Sequence, residues 1–169
     1  VVDLRAIIKR VGLTAFYVTH DQHEAFAIAD RIALMNAGQF EQIGTPADVY
    51  RRPRTVFAAR FLGLNNIVPI EARDASQAET PLGTFEHVLL DGAPETLLLH
   101  PDGISPDTNG SILGTVSESV FLGDSYRITI QTAANISLTF RLLARDHAQP
   151  LLGENLCVSI APEYIIPLK

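Results

Sequence analysis

The 169-residue sequence predicts an α/β region followed by an all-β unit, a small antiparallel barrel or sandwich. Three observations carry that reading. An uncharged β-forming run, Phe16-Tyr17-Val18, breaks off at Thr19-His20-Asp21 and gives way to a helical pattern, as a buried strand and its following helix do in a parallel sheet. Three later segments alternate apolar and polar residues with no helix between them. The charge is also divided unevenly. Residues 1–63 hold eight Lys/Arg and six Asp/Glu, a net of +2, while residues 64–169 hold five and thirteen, a net of −8. Two units are therefore expected, 1–63 and 64–169.

The composition bounds the rest. With 47% apolar and 19% charged residues the sequence is that of an ordinary globular protein. No apolar run approaches the eighteen or more residues that would span a bilayer. Cys157 is the only cysteine, so no internal disulfide forms; it reads as a small hydrophobe buried in a strand, and a reducing compartment is expected. The acidic second unit is poorly suited to nucleic acid, and its strands offer few aromatic residues for stacking.

The elements follow in order. Val1, Leu4, Ile8 and Val11 recur at helical spacing, Asp3, Arg5, Lys9 and Arg10 fill the other face, and Gly12 stands where a helix ends. This helix has no N-cap and no lead-in, so the chain is expected to be a fragment. Ala15–Thr19 is the predicted strand, buried on both faces, with His20 at its carboxyl end, where open α/β sheets place their ligands. Asp21 caps a helix over Gln22–Ala29, with Ala25, Phe26 and Ala29 inward and Glu24 completing a capping box. Arg31–Met35 and Gln39–Ile43 form a hairpin around Asn36-Ala37-Gly38. Thr45-Pro46-Ala47-Asp48 starts a helix that Pro53 stops; Thr55 caps another, which Gly63 ends. Beyond Asn65, Ile67–Ala72 reads as an edge strand because Pro69 lies within it. Residues 74–95 carry no clear element, and Leu97–Leu99 is a short strand. In the alternating segments Tyr126, Ile128 and Ile130 face inward, as do Ile136, Leu138, Phe140 and Leu142, and Leu156, Val158 and Ile160.

These residues carry a family resemblance. Tyr17-Val18-Thr19-His20-Asp21-Gln22, Glu24-Ala25, Ala29-Asp30-Arg31-Ile32, Met35, Gly38, Gly44-Thr45-Pro46, Val49-Tyr50 and Pro53 form an ordered series. It resembles the end of the ATPase domain of ABC importers, those for sugars, polyamines, sulfate, thiamine and ferric iron, that carry a C-terminal TOBE-type regulatory domain. Phe61-Leu62-Gly63 and Asn65-Asn66 resemble the crossing into that domain. Leu99-His100-Pro101-Asp102-Gly103-Ile104 resembles its recurring Arg-Pro-Glu element, with histidine and aspartate in the arginine and glutamate places. Val120-Phe121-Leu122-Gly123 and Pro162-Glu163 also fit. The implied fold is an α/β remnant of the ATPase domain over 1–63, with its H-loop, and an OB-like TOBE barrel over 64–169.

Taken alone, a histidine after an apolar run more often serves as a structural hydrogen-bond partner. The resemblance reverses that reading for His20, which matches the H-loop switch histidine that contacts the γ-phosphate of ATP. Its imidazole would donate to a phosphate oxygen as charge develops on it, an electrostatic rather than a covalent role. ATP and Mg²⁺ are implied for the whole parent. The sequence holds no G-x-x-x-x-G-K-[ST] phosphate loop, no signature sequence and no acidic Walker B end, so this chain alone is expected to bind no cofactor and to hydrolyse no ATP.

The resemblance further implies a homodimer through the ATPase and β domains, transmembrane permease subunits, an extracytoplasmic solute-binding protein as indirect partner, and a peripheral position on the inner face of the cell membrane. The transported solute stays open between ferric iron, polyamine, sulfate and sugar. The alternative is a stand-alone small-ligand or oxyanion-binding module over 64–169, with 1–63 a remnant. His23 reads as exposed, and Arg51, Arg52 and Arg54 as a solvated helix end. His87, His100 and His147 are too scattered for a metal set, and no second cysteine supports zinc.

Overall fold

Short capped helices and one hairpin make up the first unit; the computed structural model divides the chain into Val1–Leu62 and Gly63–Lys169 and describes residues 2–74, 76–86, 88 and 93–169. Helix α1 (Val2–Val11) ends where Gly12, at φ +71°, donates to the Ile8 carbonyl at 3.0 Å, the left-handed residue that closes a helix. Asp21 caps α2 (Gln22–Ile28), its carboxylate accepting from the His23 N–H at 2.8 Å and the Glu24 N–H at 3.2 Å. Phe26 meets the Tyr50 ring edge-on at 6.0 Å, although no residue of α2 is fully buried.

Strands β1 (Ile32–Asn36) and β2 (Gln39–Gly44) form the expected hairpin. Ala37 and Gly38 both take positive φ at its tip, the geometry that matches the twist of paired strands. Thr45 caps α3 (Pro46–Arg51), accepting from the Asp48 N–H at 3.2 Å, and Thr55 caps α4 (Val56–Phe61), accepting from the Ala58 N–H at 3.1 Å. Both caps follow from residue type alone.

One predicted element of this unit does not form. Residues 13–19 carry no regular secondary structure, and Phe16 and Val18 are 98% and 95% exposed. A strand buried on both faces needs neighbours to satisfy its backbone and layers to cover its side chains. None of the described strands pairs with this segment. Apolar β-formers without those neighbours stay in water.

Among the described residues every strand pair of the second unit is antiparallel. Its largest sheet runs β11-β10-β9-β12-β8, built from β8 (Ile104–Pro106), β9 (Ile112–Phe121), β10 (Ser125–Thr132), β11 (Ser137–Leu143) and β12 (Asn155–Ile160). The predicted alternation is realised: Ile128, Ile130, Leu138, Phe140, Leu142 and Val158 are buried, while Arg127 and Arg141 face outward. Each such side chain contributes about 1.5–3 kcal/mol of burial.

A three-stranded sheet places β7 (Thr96–Leu99) between β13 (Ile165–Leu168) and β3 (Ile67–Pro69). Pro69 thus lies on an edge, as its missing N–H requires. The strand expected over Ile67–Ala72 is interrupted and resumes as β4 (Ala72–Arg73), which pairs with a hairpin of β5 (Gln77–Thr80) and β6 (Gly83–Glu86). That hairpin lies in the stretch 74–95, whose polar composition hid it. Val68, Ala78, Phe85, Leu97 and Leu99 from the smaller sheets join the large sheet in one core. The unit is an all-β, OB-like fold.

Two short 3-10 turns, Pro101–Gly103 and Pro162–Tyr164, close against one another. The His100 N–H donates to the Tyr164 carbonyl at 2.9 Å and the Ala161 N–H to the Gly103 carbonyl at 3.0 Å.

Candidate functional site

The residues around His20 form a hydrogen-bonded loop on the N-terminal side of α2. The Asp21 N–H donates to Thr19 Oγ1 at 3.0 Å, and Thr19 Oγ1 donates to Glu24 Oε2 at 3.0 Å. The Tyr17 hydroxyl reaches the same Glu24 oxygen at 2.9 Å. The Tyr17 pKa is raised, first by that hydrogen bond and then by the Glu24 charge, so the phenol stays a donor over a wide pH range. The expected capping box is therefore not made. Its return bond to the Asp21 N–H is taken by Thr19, because the Glu24 carboxylate has two hydroxyl donors to accept from instead.

Helix α2 is tied down at both ends. Gln22 Nε2 donates to the Phe61 carbonyl. At the other end Arg5 donates to the Ile28 and Ala29 carbonyls at 2.5 and 3.1 Å and pairs with Asp30 at 2.9 Å; Lys9 pairs with Asp30 at 2.7 Å. A guanidinium on the last carbonyls of a helix satisfies groups that the helix itself leaves open. The hydrogen bond from Lys9 is the main cause holding the Asp30 carboxyl below its ordinary value, with Arg5 adding to it.

His20 itself is exposed at the bend before Asp21. Among the described residues its imidazole has no hydrogen bond and no ion pair. An imidazole held by its backbone neighbours and otherwise uncommitted can donate an N–H to an anionic oxygen brought to it.

The other residues singled out in the sequence scatter. His23 is exposed on α2. Arg51, Arg52 and Arg54 are exposed, and the turn that follows α3 is clamped by Gln42, whose buried side-chain amide donates to the Arg52 carbonyl at 3.0 Å and accepts from the Arg54 N–H at 2.9 Å. His100 is fully buried in the β unit, its Nδ1 accepting from the Asp102 N–H at 3.3 Å and its ring 5.8 Å from Tyr164. His147 is exposed and His87 lies outside the described residues. Cys157 is half-buried in β12. The structure adds Tyr17, Thr19 and Glu24 as a connected group. No sequence pattern marked them, since Tyr17 and Thr19 precede the N-cap Asp21 and reach Glu24 only through the path of the loop.

Comparison with known proteins bears on this loop and on the β unit. Residues 94–168 match the family model described as a TOBE domain. Over 98% of its length the chain is 36% identical to the spermidine/putrescine import ATP-binding protein of Thermobifida fusca, covering 48% of that protein. Over 77% it is 37% identical to the Fe(3+) ions import ATP-binding protein of Brucella abortus, covering 39% of it. Over 95% it is 34% identical to a spermidine/putrescine import ATP-binding protein of Pseudomonas aeruginosa, covering 47%. The chain spans about half the length of the curated relatives it matches or somewhat less. Residues 94–168 of the OB-like unit thus carry the TOBE match, and the similarity to the ATP-binding proteins of importers runs through both units.

Proposed function

We propose that this chain is the part of an importer's ATP-hydrolysing subunit that carries the γ-phosphate switch, His20, together with the regulatory β domain. Residues 1–63 then belong to the nucleotide-binding domain and residues 64–169 form the regulatory one. The observation that supports this most directly is the exposed, uncommitted imidazole of His20 on a loop held from both sides, inside a stretch similar to import ATP-binding proteins.

The residues present fit one contact of a nucleotide site. His20 can donate to a terminal phosphate oxygen, whereas the sequence holds no G-x-x-x-x-G-K-[ST] loop to cradle the remaining phosphates. Bound ATP with Mg²⁺ supplies the phosphoryl group whose charge such a donor stabilises. The work of this chain is to hold the imidazole in place and aim its N–H. A preorganised donor of that kind is worth about 10²–10³ in rate.

In the whole protein two copies pair through the ATPase and β domains, and the pair drives transmembrane permease subunits at the inner face of the membrane, supplied by an extracytoplasmic binding protein. Polyamine and ferric iron are the solutes that the relatives' names point to. The test is ATP turnover by a longer protein that joins this segment to its phosphate loop. His20→Ala lowers kcat about 10²-fold or more while KM for ATP changes little. Full turnover by that variant overturns the reading.

A further inference from the structure

The bonds around His20 form a closed ring that omits His20 itself. Glu24 Oε2 accepts from Thr19 Oγ1, Thr19 Oγ1 accepts from the Asp21 N–H, and the Asp21 carboxylate caps the helix on which Glu24 stands. Tyr17 adds a second anchor upstream. The residues immediately before and after His20 are thus fixed to one another and to the first turn of α2, while the exposed imidazole takes no part in these bonds. Glu24 is the member on which both upstream hydroxyls converge. Its carboxylate does no capping, so its position is not explained by the helix alone.

We infer that Glu24 is a positioning residue for His20, its carboxylate holding Thr19 and Tyr17 so that the imidazole is presented in one orientation. This rests on the reading of His20 given above. The physical reason is preorganisation. A donor that must act at a developing charge has to be in place beforehand, and a displacement of about 1 Å can cost on the order of 10²-fold in rate. Since the His20 ring makes no bond of its own among the described residues, that precision has to come from the backbone on either side. The raised Tyr17 pKa fits this arrangement, because the bond to Glu24 holds the phenol's proton to a pH above its ordinary value of 10.0.

Two measurements test it. In the 169-residue chain the ¹⁵N order parameter of the His20 amide is expected near ~0.85, falling below ~0.6 in Glu24→Ala. Glu24→Gln, whose side-chain carbonyl still accepts both hydroxyls, restores the wild-type value. Thr19→Val, which breaks the ring without touching α2, gives the same loss should Glu24→Ala unfold the helix. In the longer protein Glu24→Ala lowers kcat about tenfold with KM for ATP unchanged, and Glu24→Gln rescues it. A His20 amide that stays equally ordered in Glu24→Ala and Thr19→Val overturns the inference. So does wild-type kcat in Glu24→Ala alongside a dead His20→Ala. Wild-type kcat in His20→Ala instead overturns the reading of His20 as the switch, while the order parameters still decide what Glu24 holds.

Discussion

The side-chain amide of Asn66 closes on the backbone of Thr139 as a second peptide group would. The Thr139 N–H donates to Asn66 Oδ1 at 2.7 Å and Asn66 Nδ2 donates to the Thr139 carbonyl at 2.8 Å. Thr139 lies in β11, the edge of the five-stranded sheet, so the amide occupies backbone positions that no strand pairs there. Nδ2 also donates to the Leu99 carbonyl at 3.1 Å, and the Asn66 carbonyl accepts from the Leu99 N–H at 2.9 Å. One buried side chain therefore links the edge of one sheet to the central strand of another.

Removing that link is expected to be costly. Asn66→Ala leaves the Thr139 N–H without its acceptor in a region the side chain had shielded from water, at about 1–3 kcal/mol for such a group. Urea unfolding of the chain should show a lower midpoint with an unchanged slope. Asn66→Asp should do no better. Its carboxylate would face the Leu99 and Thr139 carbonyls with no hydrogen to give.

Gly103 is the second such point. A Cβ there would stand 2.2 Å from the Cβ of Tyr164, an atom fixed to its own backbone that no rotamer can move aside. Gly103→Ala is expected to push the two 3-10 turns apart and to destabilise the β unit by about 1–3 kcal/mol. Thermal unfolding followed by circular dichroism measures this.

The exposed segment before His20 gives the opposite expectation. Phe16→Ser and Val18→Ser remove side chains that are 98% and 95% exposed, so each should change the stability of this chain by less than about 0.5 kcal/mol. A loss of several kcal/mol in urea unfolding would mean that the segment is buried as a strand after all.

Asp30 supplies a pH dependence with a definite sign. Its folded-state carboxyl lies below the ordinary value of 3.8, chiefly through the hydrogen bond from Lys9 and further through Arg5, outweighing the desolvation that would raise it. The folded chain therefore holds fewer protons on this group than the unfolded chain does. The stability it contributes is present above pH 3.8 and is lost as the pH falls through the lower folded value. The ¹⁵N shifts of Arg5 to Lys9 should stay flat from pH 7 and move only below about pH 4, and Asp30→Asn should abolish that movement.

The difference between the two units shows what a sequence can carry. Thr45, Thr55 and Asp21 announced three helix starts because an N-cap is a local event, an oxygen within reach of an N–H two or three residues on. The alternation at Ile128, Ile130, Leu138 and Phe140 announced strands because the side-chain period of two is a property of the backbone. The hairpin in 74–95 stayed hidden because its short strands bury few apolar side chains, with Ala78 and Phe85 alone marking the inner face.

Sequence alone determined the order of the first unit's helices and hairpin, the capped helix that follows His20, and the faces that the alternating strands bury, since each follows from chemistry within a few residues. It also marked His20 as the group to watch. Tertiary structure decided what those elements become. Phe16 and Val18 have the composition of a buried strand but lie in water, because burial is a property of neighbours and not of the residues themselves. Asn66 and Glu24 owe their roles to partners that converge only in three dimensions: Thr139 lies seventy-three residues from Asn66, and Tyr17 and Thr19 meet on one carboxylate oxygen.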